Sequence, residues 1–98
     1  MLGGTTLNSV KLYWVYVLLS LFDKKRYIGC TISLRHRLGE HYSGKVFSTK
    51  HRRPLKLIYT EGCLNEDDAK RREKYFKTTY GRRFLAKRIK CYYANNKF

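Results

Sequence analysis

The residues best able to do chemistry are concentrated between Tyr27 and His41. Tyr27-Ile28-Gly29 reads as the end of a strand, the chain turns near Ser33, and a short helix follows to about Tyr42. Leu34 and Leu38 are four apart and give that helix an inward stripe, while Arg37 and His41, also four apart, stack beside it. A phenol leaving a strand and an Arg/His pair on the next helix can converge on one phosphate. Glu73 adds a carboxylate, sharing helical spacing with Ala69, Phe76 and Tyr80 and so falling on an apolar face. A carboxylate there is costly unless it pairs with a cation, such as Arg37, or holds a metal ion. Both readings stand on the residues alone.

These groups need a scaffold. Leu12 to Leu19 is rich in aromatic and β-branched residues and apolar on both sides, which predicts a central strand covered on two faces. Tyr16 shares a face with Trp14 and Leu18. After the polar break Phe22-Asp23-Lys24-Lys25, Arg26–Gly29 forms a second strand, and the short connection implies an antiparallel hairpin. Tyr27 shares a face with Gly29, whose missing side chain leaves space beside the phenol. Thr31 or Ser33 is placed to cap the first helix, which stops before Ser43-Gly44. Residues 43–53 read as a basic loop, and Pro54–Thr60 as a third strand. Asn65 caps a second helix, with Asp68 completing a capping-box-like pair and Leu64 and Ala69 a hydrophobic staple. Phe84 to Ile89 suggests a short terminal helix. The expected organisation is a loose arm over 1–10, one domain over 11–92 and a basic tail over 93–98.

Composition narrows the partners. The 98 residues suit a single domain, and 43% hydrophobic with 15% aromatic residues argues for a folded core. A formal net charge of +15 destabilises a compact domain unless it meets a polyanion, so nucleic acid is the leading partner. Lys45, Lys50, Arg52 and Arg53 in the loop, with Lys77, Arg82 and Arg83 further on, are the candidate phosphate contacts. No helix is both basic and broadly apolar, which speaks against a membrane surface. The apolar run Leu12–Phe22 is too short to span a bilayer. Cys30, Cys63 and Cys91 are odd in number and lie in no Cys-x-x-Cys pair, so reduced thiols in a cytoplasmic, nucleoid-associated protein are expected. A zinc site from Cys30, His36, His41 and Cys63 matches no standard ligand spacing. Gly39 to Lys45 imitates the start of a nucleotide-binding loop, but Val46 has no hydroxyl for magnesium and the segment ends a helix, so no nucleotide cofactor is expected.

Together the motifs resemble the GIY-YIG nuclease family, which includes the N-terminal domain of the bacterial excinuclease C subunit. Val15-Tyr16-Val17 stands where the first motif, Gly-Ile-Tyr or a variant, is found, and Tyr27-Ile28-Gly29 is the second motif to the letter. Arg37 follows at the family's spacing from the second tyrosine, His41 one helical turn later, and Ala69-Lys70-Arg71-Arg72-Glu73 has the context of the family's metal-binding glutamate. The first motif lacks its glycine. The asparagine that many members carry after the glutamate helix is replaced by Phe84-Leu85-Ala86-Lys87-Arg88, and Asn95 and Asn96 lie too far along to substitute.

The resemblance implies an α/β fold, an α+β sandwich with a small, mainly antiparallel three-stranded sheet flanked by helices. It implies hydrolysis of a DNA phosphodiester with one divalent ion, Mg2+ or Mn2+, on Glu73. Arg37 would balance phosphoryl charge, Tyr16 or Tyr27 would accept a proton from water, with Tyr16 favoured, and His41 would orient the nucleophile or share the proton. Little resembles a base-reading helix, so weak sequence preference or recognition of shape, including branched or damaged DNA in repair or processing, is expected. A non-catalytic binder of DNA or RNA that keeps the fold is the alternative.

Overall fold

A computed structural model describes residues 10–96. The arm over 1–10 therefore lies almost wholly outside the described residues, as does the end of the basic tail.

Three strands form one antiparallel sheet in the order β2-β1-β3, with β1 at Tyr13–Ser20, β2 at Arg26–Thr31 and β3 at Leu55–Cys63. Among the described residues four helices accompany it: α1 at Leu34–Tyr42, α2 at Glu66–Phe76, α3 at Thr79–Arg88 and α4 at Lys90–Asn95. A single 3-10 turn, Lys50–Arg52, interrupts the basic loop. This is the α+β sandwich that the sequence predicts.

The continuous apolar run of β1 has the reason expected of it. Val15 to Ser20 are all buried because β1 is the middle strand and both of its faces are covered. Val15, Val17 and Leu19 join Ile28, Ala69, Phe76 and Leu85 under α2 and α3. Tyr16 and Leu18 point the other way, packing with Leu55, Tyr27, Leu34 and Leu38 under α1. The sheet thus separates a larger core from a smaller layer that holds Tyr16 and Tyr27. β3 runs to Cys63, beyond the expected end at Thr60, because Tyr13 and Trp14 of β1 supply pairing partners for Cys63 and Gly62. It also carries an irregularity opposite Val17 and Leu18 that leaves Ile58 without a partner in register.

Three local expectations are corrected. Neither Thr31 nor Ser33 caps α1 through its hydroxyl; Thr31 Oγ1 instead accepts the Ser33 N–H at 3.1 Å and shapes the turn. Asn65 does cap α2, accepting from Asp67 and Asp68, but Leu64 is 74% exposed and makes no staple with buried Ala69. Tyr80 does not continue the α2 stripe. The helix ends at Phe76, Thr78 caps α3, and Tyr80 is exposed. The sharp junction depends on Gly81, where a Cβ would meet the Tyr75 carbonyl.

Candidate active site

β1 and β2 place Tyr16 directly opposite Gly29. A Cβ on Gly29 would lie 2.3 Å from the Tyr16 hydroxyl, so the space anticipated there is filled by the Tyr16 ring. Tyr27, two residues earlier on the same face, sits beside it with ring centroids 6.4 Å apart. α1 then lowers His41 onto both phenols, at 5.5 Å from the Tyr16 ring and 5.1 Å from the Tyr27 ring. Tyr16 and His41 are almost wholly buried, and the Tyr16 hydroxyl and His41 Nε2 are 2.8 Å apart. Arg37, one turn earlier, lies close enough for its charge to favour the ionised Tyr16 phenol. Its guanidinium is also held by Glu40 of the same helix, at 3.0 Å. The structure therefore brings Tyr16, Tyr27, Arg37 and His41 into one cluster.

Glu73 approaches from α2. Its side chain is 25% exposed, and its charge helps to raise the proton affinity of Tyr16 and of Cys30. The ion-pair partner considered for it, Arg37, is engaged elsewhere; Lys77 Nζ pairs with the carboxylate instead, at 3.2 Å. Between β2 and the end of α2 lies a cavity of about 600 Å³, bordered by Tyr27, Lys77 and Arg82. Its wall is basic, and of the tyrosine cluster Tyr27 borders it.

Electrostatics set the protonation states. Burial pushes the Tyr16 phenol above its ordinary value, while the Arg37 guanidinium works against the rise. Desolvation outweighs the guanidinium, so the net shift is upward. Burial and Arg37 together lower the His41 pKa, so the imidazole is neutral at pH 7.

The basic loop divides by role. Arg52 binds Asp23 of the hairpin turn at 2.7 Å and donates to the Lys25 carbonyl at 3.1 Å, while Ser20 Oγ donates to the Arg52 carbonyl at 2.6 Å. This clamp holds the Asp23 carboxyl down to about 2. Arg53 closes the end of α1, donating to the Tyr42 and Lys50 carbonyls. Both arginines, anticipated as phosphate contacts, are thus engaged within the fold. Lys50 rests over the Phe47 ring, and Lys45, Arg82 and Arg83 are exposed. Thr49, which the sequence does not single out, is fully buried with its hydroxyl 2.8 Å from His41 Nδ1. Its surroundings in sequence are charged and aperiodic, so no local pattern marks it, whereas Glu40 carries a local signal in its i, i+3 spacing from Arg37.

His41 is turned inward under α1, whereas Cys30 and Cys63 pack on the opposite face of the sheet. Among the described residues, no three His, Cys, Asp or Glu side chains are grouped to hold a metal ion. No helix among them is long and apolar enough to cross a membrane.

The model of the GIY-YIG catalytic domain family matches residues 12–90. The chain belongs to this family. Similar proteins include the UPF0213 protein spr1390 of Streptococcus pneumoniae, 42% identical over 65 residues that make up 65% of each chain. A UPF0213 protein of Lactiplantibacillus plantarum is 39% identical over 71% of each chain. Another from Pediococcus acidilactici is 37% identical over 66% of this chain and 68% of its own. The alignments thus span about two thirds of these relatives' lengths. No solved structure gives a significant match. The GIY-YIG family is one of nucleases.

Proposed function

We propose that this GIY-YIG domain is a divalent-metal-dependent DNA endonuclease, weakly sequence-specific or directed by DNA structure, acting in repair or processing. The observation that carries the reading is the convergence of two phenols, a neutral imidazole and a guanidinium beside a basic cavity.

The groups divide the work of phosphodiester hydrolysis. A water oxygen bonds to phosphorus, its proton passes to the Tyr16 oxygen in its phenolate form, and the ester oxygen leaves on the far side. Arg37 balances charge on the non-bridging oxygens, and Glu40 keeps its fork oriented. Tyr27, half-buried at the border of the cavity, positions the water or the phosphate. Glu73 fits a single Mg2+ or Mn2+: its carboxylate is a hard oxygen donor, partly exposed, and its partner is an exposed ammonium that an ion can displace. When bound, such an ion supplies Lewis-acid stabilisation of the phosphate. Lys45, Lys50, Lys77, Arg82 and Arg83 then bind the flanking backbone.

The Lys77–Glu73 pair also suits a second reading, a nucleic-acid binder in which the carboxylate is simply neutralised. Nicking of supercoiled plasmid separates the two. The nuclease reading predicts nicking with magnesium or manganese, its loss with chelator, and its loss in Glu73→Ala and Tyr27→Phe with DNA binding retained. Tight binding by all three proteins without cleavage, on plasmid and on forked, flapped and branched substrates, favours the binder.

A further inference from the structure

Phe47 is 83% exposed, more than any other large apolar side chain among the described residues. It stands on a built tip of the basic loop. Val46 before it and Thr49 after it are both buried, and the Thr49 hydroxyl lies 2.8 Å from His41 Nδ1. The Thr49 and Lys50 N–H groups donate to the Val46 carbonyl, at 3.1 and 2.9 Å, which closes a tight turn under Phe47 and Ser48. The Arg52–Asp23 pair fastens the end of the loop to the hairpin. With the chain pinned on both sides, the fold itself holds the ring out in water. What surrounds the ring selects its partner. No acidic residue occurs between Glu40 and Glu61, a stretch that holds Lys45, Lys50 and His51. Lys45 and His51 are exposed, and Lys50 Nζ lies 5.0 Å from the Phe47 centroid. A phenyl ring cannot hydrogen-bond a phosphate. It can stack on a base, and the cations around it suit the backbone that carries that base. A lipid surface would need a broader apolar face than one ring set among Lys45, Ser48 and Lys50.

We propose that Phe47 is a stacking platform for a DNA base whose face is open, at a gap, an end or an unstacked step, with Lys45 and Lys50 holding the adjoining phosphates. An intact duplex offers no free base face in its interior, so this contact favours DNA whose stacking is interrupted. The inference rests on the reading of DNA as the partner and does not rest on cleavage.

The test is binding of labelled DNA in EDTA, so that metal-dependent cleavage does not intervene, by the native chain, Phe47→Ala, Phe47→Leu, Phe47→Trp and Lys50→Gln. The ring lies outside the core, so the three Phe47 variants should keep the native melting temperature. On a gapped duplex, Phe47→Ala and Phe47→Leu should bind about 5- to 100-fold more weakly, and Phe47→Trp at least as tightly as the native chain. On an intact duplex the loss should be smaller. The slope of log K against log salt should be unchanged in Phe47→Ala, which removes no phosphate contact, and lower by about one in Lys50→Gln. Native affinity in Phe47→Ala overturns the proposal. So does native affinity in Phe47→Leu, the mark of a plain apolar contact, or an equal loss on both duplexes. Unchanged DNA affinity in Phe47→Ala with loss of binding to phosphatidylserine vesicles would assign the ring to a lipid surface instead. A native chain that binds gapped DNA through Phe47 but cuts none with magnesium would leave this contact standing while the nuclease reading fails.

Discussion

Tyr16 carries two demands that pull against each other. Burial beside Gly29 and under His41 positions its oxygen, but the same burial raises its pKa, so the base form is scarce near neutrality. Cleavage should therefore increase with pH through the neutral range into the alkaline, and Tyr16→Phe should lose about 10²–10⁴-fold of the rate with DNA binding unchanged, checked by a pH–rate profile under single-turnover conditions. His41 gives a complementary signature in stability. Its folded pKa lies below the ordinary 6.5, so the unfolded chain takes up the proton first as pH falls. The stabilisation is fully present above pH 6.5 and is lost as the pH drops through the folded value. Thermal melts from pH 7.5 to 5 should show the midpoint falling across that window, with a shallower dependence in His41→Gln. Of these residues Tyr27, Arg37 and His41 were legible because short motifs and i, i+4 spacing are local. Thr49 was not, because its role depends on where the loop delivers it against His41.

Elements were legible wherever periodicity and burial agree. The apolar run of β1 announced a central strand, and the acidic first turn after Asn65 announced α2. Errors came where tertiary contacts override local pattern: β3 is extended by its pairing with β1, and Leu64 is 74% exposed among the described residues rather than stapled to Ala69. The placement of Tyr16 rests on one element-level device, the open side of β2 at Gly29. Gly29→Ala should displace the phenol or the strand, costing about 1–3 kcal/mol of stability by overpacking and lowering cleavage further than stability alone explains. Urea unfolding together with a cleavage assay at saturating protein would measure both effects.

At the scale of the whole molecule, a charge of +15 does not mean that every cation meets DNA. Arg52 ties the loop to the hairpin, whereas Arg83 is exposed on α3. Arg52→Gln should lower the melting temperature. Arg83→Gln should leave it unchanged while weakening DNA binding and reducing the slope of log K against log salt by about one. The net charge made a polyanionic partner legible from composition, but only the fold sorts structural arginines from available ones.

The most direct measurement is single-turnover cleavage of a labelled DNA by the native chain and by Glu73→Gln, with magnesium and with protein in saturating excess so that binding differences cancel. Metal-dependent product from the native chain, and a rate lower by about two orders of magnitude or more in Glu73→Gln at similar DNA affinity, is the predicted result. Equal rates in the two proteins, or binding without product in either, would contradict it.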